Sequence, residues 1–197
     1  MAEFEKITIQ PFDLPEEPEP KEKFGRLRGD KAILPEGGEF FERGGFGELV
    51  SDGLELSAEE TLYLFQKGKI SIVSKEDRKI PDFDALLSEL RKFLPEIYIR
   101  YQLYRDLRER GYVVRSGLKY GTHFRVYDRG VKPSRGERES WEHAKYLAHA
   151  IPEAAVYSIS ELSRFVRLSH SVRKTLWLGV VDGEGDVTYF QITRATP

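Results

Sequence analysis

The sequence predicts a mixed α/β protein: a small N-terminal α/β domain at 24–95, followed by a second α/β domain with a mixed sheet at 96–197. Three observations carry that expectation. Helical and period-2 stretches alternate along the chain instead of segregating. Pro95 interrupts them near the middle. Charge divides at the same place, with 14 basic and 21 acidic side chains in residues 1–95 and 16 and 9 in residues 96–176. At 197 residues the chain is long enough for two small cores.

Residues 1–23 include Pro11, Pro15, Pro18 and Pro20 among many acidic groups, which predicts an extended tail. The glycine-rich stretch 24–53, with Phe40-Phe41 and Leu49-Val50, reads as short strands and turns. Ser57 and Glu60 stand at capping-box spacing ahead of Leu62 and Phe65, and Gly68 follows where a left-handed C-cap belongs, so a short helix is expected there. Lys69 to Val73 alternates as a strand. Asp82 then opens a helix whose Phe83, Leu86, Leu87, Leu90 and Leu94 share one face.

In the second domain, Ile97, Tyr101, Tyr104 and Leu107 form a helical stripe that Gly111 stops, and the facing Arg100, Arg105, Arg108 and Arg110 read as a solvated basic face. The next stretch, Gly117-Leu-Lys-Tyr-Gly-Thr-His-Phe-Arg-Val-Tyr127, sets Phe124 and Val126 against His123, Arg125 and Tyr127. That is a strand with one apolar and one polar face, and the polar face presents a phenol beside cations. A polar loop at 128–140, a strand at 144–151, a helix at 158–168 capped by Ser158 and Glu161, and a hairpin of 175–181 and 186–194 complete the order helix, strand, strand, helix, hairpin.

Composition removes several classes of function. Without cysteine there are no disulfides, thiol nucleophiles or thiolate-bound metals. No apolar run approaches the roughly 20 residues of a membrane span, and Met1 to Lys6 shows no signal pattern, so a soluble cytoplasmic protein with no membrane partner is expected. His123, His143, His149 and His170 form no helical i, i+4 pair, and Pro81-Asp82 lacks the acidic residue and lysine that would complete a metal-nuclease motif. There is no Gly-x-Ser-x-Gly elbow, P-loop or dinucleotide fingerprint. The expectation is therefore no metal and no cofactor. The basic domain joined to an acidic one fits a polyanionic ligand.

What remains is a tyrosine, a histidine and a lysine, carried by the 117–127 stretch, Trp141-Glu-His143-Ala and Ser171-Val-Arg-Lys174. This set suits metal-free cutting of RNA. A phenol whose pKa is lowered by cations can take the 2′-hydroxyl proton, an imidazole can protonate the leaving 5′-oxygen, and an ammonium can offset charge on five-coordinate phosphorus. The products are a 2′,3′-cyclic phosphate and a 5′-hydroxyl.

The blocks Gly111-Tyr-Val-Val, 117–127, His143-Ala-Lys-Tyr, Phe165-Val-Arg-Leu-Ser-His-Ser-Val-Arg-Lys174 and the strands of 182–197 together resemble the catalytic domain of archaeal tRNA-splicing endonucleases. The likeness extends more loosely to 54–73. It implies a nuclease-like α/β C-terminal domain that cuts precursor tRNA at a bulge-helix-bulge. By the same resemblance Tyr127 is the general base, His143 the general acid, with His149 the alternative, and Lys174 the transition-state lysine. Arg167 and Arg194 look like the two arginines that sandwich a flipped bulge base. The acidic turn of Asp182, Glu184 and Asp186 looks like the loop by which one subunit docks into a basic pocket of its neighbour. The resemblance implies a homodimer or homotetramer, or a heterotetramer with a structural subunit. The connection from Tyr127 to His143, with Lys132, Arg135 and Arg138, is longer than in compact homotetrameric members. The alternative reading is a non-catalytic structural or RNA-binding subunit of the same assembly.

Overall fold

Two five-stranded mixed sheets frame the protein, and helix 97–109 packs against the second sheet and against two helices of the N-terminal half. The computed structural model describes residues 23–131 and 143–195. All of the expected extended tail 1–23 but Lys23 lies outside the described residues, as does the part of the expected basic loop holding Lys132, Arg135 and Arg138.

The N-terminal half runs β1 (Phe24–Arg28), β2 (Lys31–Leu34), α1 (Gly38–Gly44), β3 (Glu48–Val50), β4 (Gly53–Leu56), α2 (Ala58–Gln66), β5 (Ser71–Val73) and α3 (Phe83–Arg91). Its strands lie in the order β3-β4-β2-β1-β5, antiparallel except for β1 with β5. The helix starts follow from local chemistry. Ser57 accepts the Glu60 N–H while the Glu60 carboxylate accepts the Ser57 N–H at 2.9 Å, and Asp82 accepts the Ala85 N–H at 2.9 Å. Helix α1 corrects the expectation of strands and turns alone at 24–53. It has no side-chain cap at its start; Phe40 and Phe41 pack it against the main core and Gly45, at φ 65°, ends it.

The C-terminal half runs α4 (Ile97–Glu109), β6 (Val113–Ser116), β7 (Phe124–Tyr127), β8 (Tyr146–Pro152), α5 (Ile159–Ser171), β9 (Thr175–Val181) and β10 (Val187–Ile192). The sheet order is β10-β9-β8-β7-β6, with β8 and β9 parallel and α5 crossing between them. Strand β6 is absent from the order expected from sequence. Its four residues are too few to show a period, and pairing with β7 is what makes them a strand.

Helix α4 buries Tyr101, Leu103, Tyr104 and Leu107, and the core runs continuously from Ile72 of β5 through this helix to Val126 and Ala148 of the second sheet. Its arginine face is not simply solvated, which corrects the expectation from sequence. Arg100 pairs with the buried Glu59 carboxylate of α2, and Arg108 donates to the Gly44 carbonyl at 2.8 Å while lying 3.8 Å over the Phe46 ring. These side chains tie the halves together. On the other face of the second sheet, Leu162, Phe165 and Val166 of α5 cover Ile151, Leu176 and Leu178. No described helix is long and apolar enough to cross a membrane.

Candidate active site

The alternation of β7 splits its side chains between the two faces of the sheet. Phe124 and Val126 enter the core under α4, where Phe124 meets Tyr104 at 5.7 Å between ring centroids. Arg125 and Tyr127 therefore leave the opposite face. The turn before the strand, Leu118–Tyr120, folds tightly over it: a Cβ on Gly117 would stand 2.7 Å from the Phe124 backbone, and Gly121 closes the turn at φ 68°.

Three remote segments meet around Ala144. Tyr127 packs with Ala144 and with Val113, its partner across β6, while Val131 closes over them. The Lys174 ammonium donates to the Ala144 carbonyl at 2.5 Å. His143 directly precedes Ala144 and is exposed. The parallel β8–β9 pairing brings Lys174 here, through Tyr146 opposite Thr175 and a Thr175 N–H to Lys145 carbonyl bond of 3.1 Å. Arg173, at φ 55°, makes the turn from α5 into β9. Burial, and then the charge of Arg125, pull the Lys174 ammonium below its usual protonation range. Asp128 and Lys145, which follow Tyr127 and Ala144, form an ion pair.

Tyr127 is only 1% exposed. The sequence pattern set it on a polar strand face beside cations, and Val113, Val131 and Ala144 cover it at the strand end. His149, the alternative histidine, sits elsewhere, stacked on His123 at 3.9 Å and tilted against Phe165 at 4.6 Å. Burial, helped by the Arg100 charge, holds His149 down to about 4, which removes its proton near neutrality. His123 accepts the Ala150 N–H on Nδ1 at 3.1 Å and is held down to about 3 by burial, then by His149 and Arg100. It is a structural histidine.

Of the two arginines, Arg194 lines a cleft beside Lys174, His170 and Arg173, whereas Arg167 is exposed on α5 outside that lining. At the β9–β10 hairpin tip, Asp182 turns its carboxylate inward and accepts the N–H groups of Glu184 and Asp186, both at 2.9 Å. Glu184 and Asp186 are exposed. Between the halves lies a cavity of about 320 Å³ whose cations are Lys31, Arg100, Arg115, Lys119 and Arg125. Sequence reasoning did not single out Arg125, whose guanidinium carbon stands 5.9 Å from the Tyr127 ring centroid. Its signal was its position two before Tyr127, which sets both on one strand face.

Residues 97–189 match the family described as tRNA intron endonuclease, catalytic C-terminal domain, and residues 24–87 match its N-terminal domain. The chain is 37% identical over 170 residues to a tRNA-splicing endonuclease of Thermococcus onnurineus (strain NA1), covering 85% of this chain and 93% of the relative. It is 37% identical over 153 residues to that of Methanothermobacter thermautotrophicus, covering 77% and 84%. With the enzyme of Methanococcus vannielii it shares 41% over 147 residues, covering 75% and 78%. On both its domains and nearly its whole described length, this chain belongs to the tRNA intron endonuclease family.

Proposed function

We propose that the protein is a tRNA-splicing endonuclease that cuts precursor tRNA at bulge-helix-bulge sites by transesterification without metal, leaving 2′,3′-cyclic phosphate and 5′-hydroxyl ends. The observation that carries this reading is the meeting of Tyr127, His143 and Lys174 about Ala144, since a phenol, an imidazole and an ammonium are the groups the reaction requires.

In this reading Tyr127 takes the 2′-hydroxyl proton and the 2′-oxygen attacks phosphorus. His143 gives a proton to the departing 5′-oxygen, and the Lys174 ammonium offsets the charge that accumulates on the phosphoryl oxygens. A lysine whose protonation is already opposed by burial and Arg125 gains from an approaching phosphate, which restores a favourable partner. Arg167 and Arg194 hold a bulge base between guanidinium planes. Because Arg167 lies outside the described lining of the cleft that holds Arg194, we assign their pairing to the assembled oligomer. The turn with Asp182, Glu184 and Asp186 docks into a basic pocket of a neighbouring subunit, where Glu184 and Asp186 supply the outward charge and Asp182 holds the turn. A substrate with two bulges at a fixed separation calls for two sites at a fixed separation, hence a homo-oligomer or a heterotetramer.

The burial of Tyr127 favours a second reading, a non-catalytic or partner-dependent subunit of such an assembly. One assay separates them: the purified chain with a bulge-helix-bulge RNA in EDTA. Cyclic-phosphate and 5′-hydroxyl products from the chain alone support the endonuclease, and their absence until a partner subunit is added supports the second reading. In the same assay Lys174→Ala is expected to bind RNA normally and cut about 100- to 1,000-fold more slowly, the range of one lost electrostatic donor. An unchanged rate removes Lys174 from the site.

A further inference from the structure

We propose that Arg125 is a phosphate-binding residue of the cleavage site, presenting its guanidinium fork to the RNA phosphodiester that is cut; the inference rests on the reading of the site given above. Arg125 and Tyr127 share a strand face, and the guanidinium carbon stands 5.9 Å from the Tyr127 ring centroid. The β6–β7 register sets Arg115 directly opposite Arg125. Like charges at a cross-strand pair repel, and the buried Glu60 carboxylate lies near enough to Arg115 to feel its charge, which leaves Arg125 the less compensated of the two.

The two arginines are not equally engaged. Arg115 donates to the Gly45 carbonyl at 3.0 Å and lies 5.7 Å from the Phe41 ring, so it is tied to the N-terminal half. Arg125 has no carboxylate partner among the described residues, and its buried Nε has no hydrogen-bond acceptor. A third cation, Lys174, lies close enough for Arg125 to oppose its protonation. Arg125 thus stands between two cations, Arg115 across the β6–β7 pair and Lys174 at the start of β9, and it has buried donor capacity unused. An anion with several acceptor oxygens fills that capacity and offsets the two remaining charges, those of Arg125 and Lys174. A phosphodiester poised at Lys174 is such an anion, and the reaction requires one there.

Arg125 also lines the cavity between the halves, so the competing occupant is a carboxylate of a neighbouring subunit. Its nearness to Tyr127 and Lys174 favours RNA. The test compares the full-length chain with Arg125→Gln and Arg125→Lys in EDTA. It measures single-turnover cutting of a bulge-helix-bulge RNA, salt-dependent binding of the same RNA made uncleavable by 2′-deoxy substitution at the cut positions, and assembly mass. Failure of the unmodified chain to cut at all strikes the underlying reading and is visible before either variant is examined. If it cuts, Arg125→Gln is expected to slow it at least about tenfold and to lower the slope of log affinity against log salt by about 0.7–0.9, the value of one phosphate contact. Arg125→Lys is expected to keep the slope, since the charge remains, and to lose rate, since the fork does not. A rate within twofold of the unmodified chain in Arg125→Gln overturns the proposal, and so does a lower assembly mass at unchanged slope. Should Arg125→Gln fail to fold, Arg125→Lys decides alone: an unchanged rate overturns the proposal and a reduced rate at unchanged slope supports it.

Discussion

His123 and His149 lie face to face, ring centroids 3.9 Å apart, with Phe165 beyond and the Arg100 charge near both. Neither imidazole can take up a proton without placing charge in a poorly solvated site next to other cations, which is why they are held to about 3 and about 4. An unfolded histidine titrates near 6.5, so in acid the unfolded chain binds protons that the folded chain does not. The sign is therefore fixed: the stability contributed by these neutral histidines is complete above about pH 6.5, declines as pH falls below that, and is fully lost only below about 4 for His149 and about 3 for His123. At full slope each histidine removes about 1.4 kcal/mol per pH unit. Urea unfolding of the chain between pH 7.5 and 5 should show a falling midpoint, and His149→Phe should roughly halve the slope. An equally steep fall in that variant locates the sensitivity elsewhere.

At the scale of elements, the site depends on how the 117–121 turn lies on β7. The turn is tight because Gly117 has no Cβ to meet the Phe124 backbone at 2.7 Å. Strand β7 in turn sets the direction of both Arg125 and Tyr127. Gly117→Ala should therefore destabilise the chain by about 1–3 kcal/mol, the usual range for a side chain forced into filled space, and should also reduce cutting by displacing the strand. Thermal unfolding and the RNA assay measured together check this; unchanged values in both show that the turn relaxes freely. Much at this scale was legible in the sequence. The caps of α2, α3 and α5 rest on contacts three residues apart, and Ser57, Asp82 and Ser158 make them as their spacing predicts. Helix α1 and strand β6 were not legible, because seven and four residues carry too little local preference and distant packing decides them.

For the whole molecule, a core shared by both sheets makes the chain a stiff platform, with Arg100 and Arg108 fastening α4 to the N-terminal half. Such a platform suits an assembly that must hold two sites at a set distance. The proposed contact between copies is the β9–β10 turn. Within it Asp182 is occupied with the turn's own N–H groups, so the test should spare it. Replacing Glu184 and Asp186 together by lysine should lower the mass of the assembly in solution while leaving helical content and the melting temperature of the subunit nearly unchanged. An unaltered mass withdraws the docking role from this loop.

By itself the sequence determined the mixed α/β class, the helix caps, the hairpin and the short set of residue types able to cut RNA, because these follow from spacing, capping and chemistry carried within a few positions. Tertiary structure alone decided that Tyr127 is covered by Val113 and Ala144, that Lys174 reaches the Ala144 carbonyl, that His149 lies apart beside His123, and that Arg125 stands opposite Arg115. Each of these depends on strand register between segments far apart in the chain. Register is set by which faces must be buried together, a condition that no single stretch of residues contains.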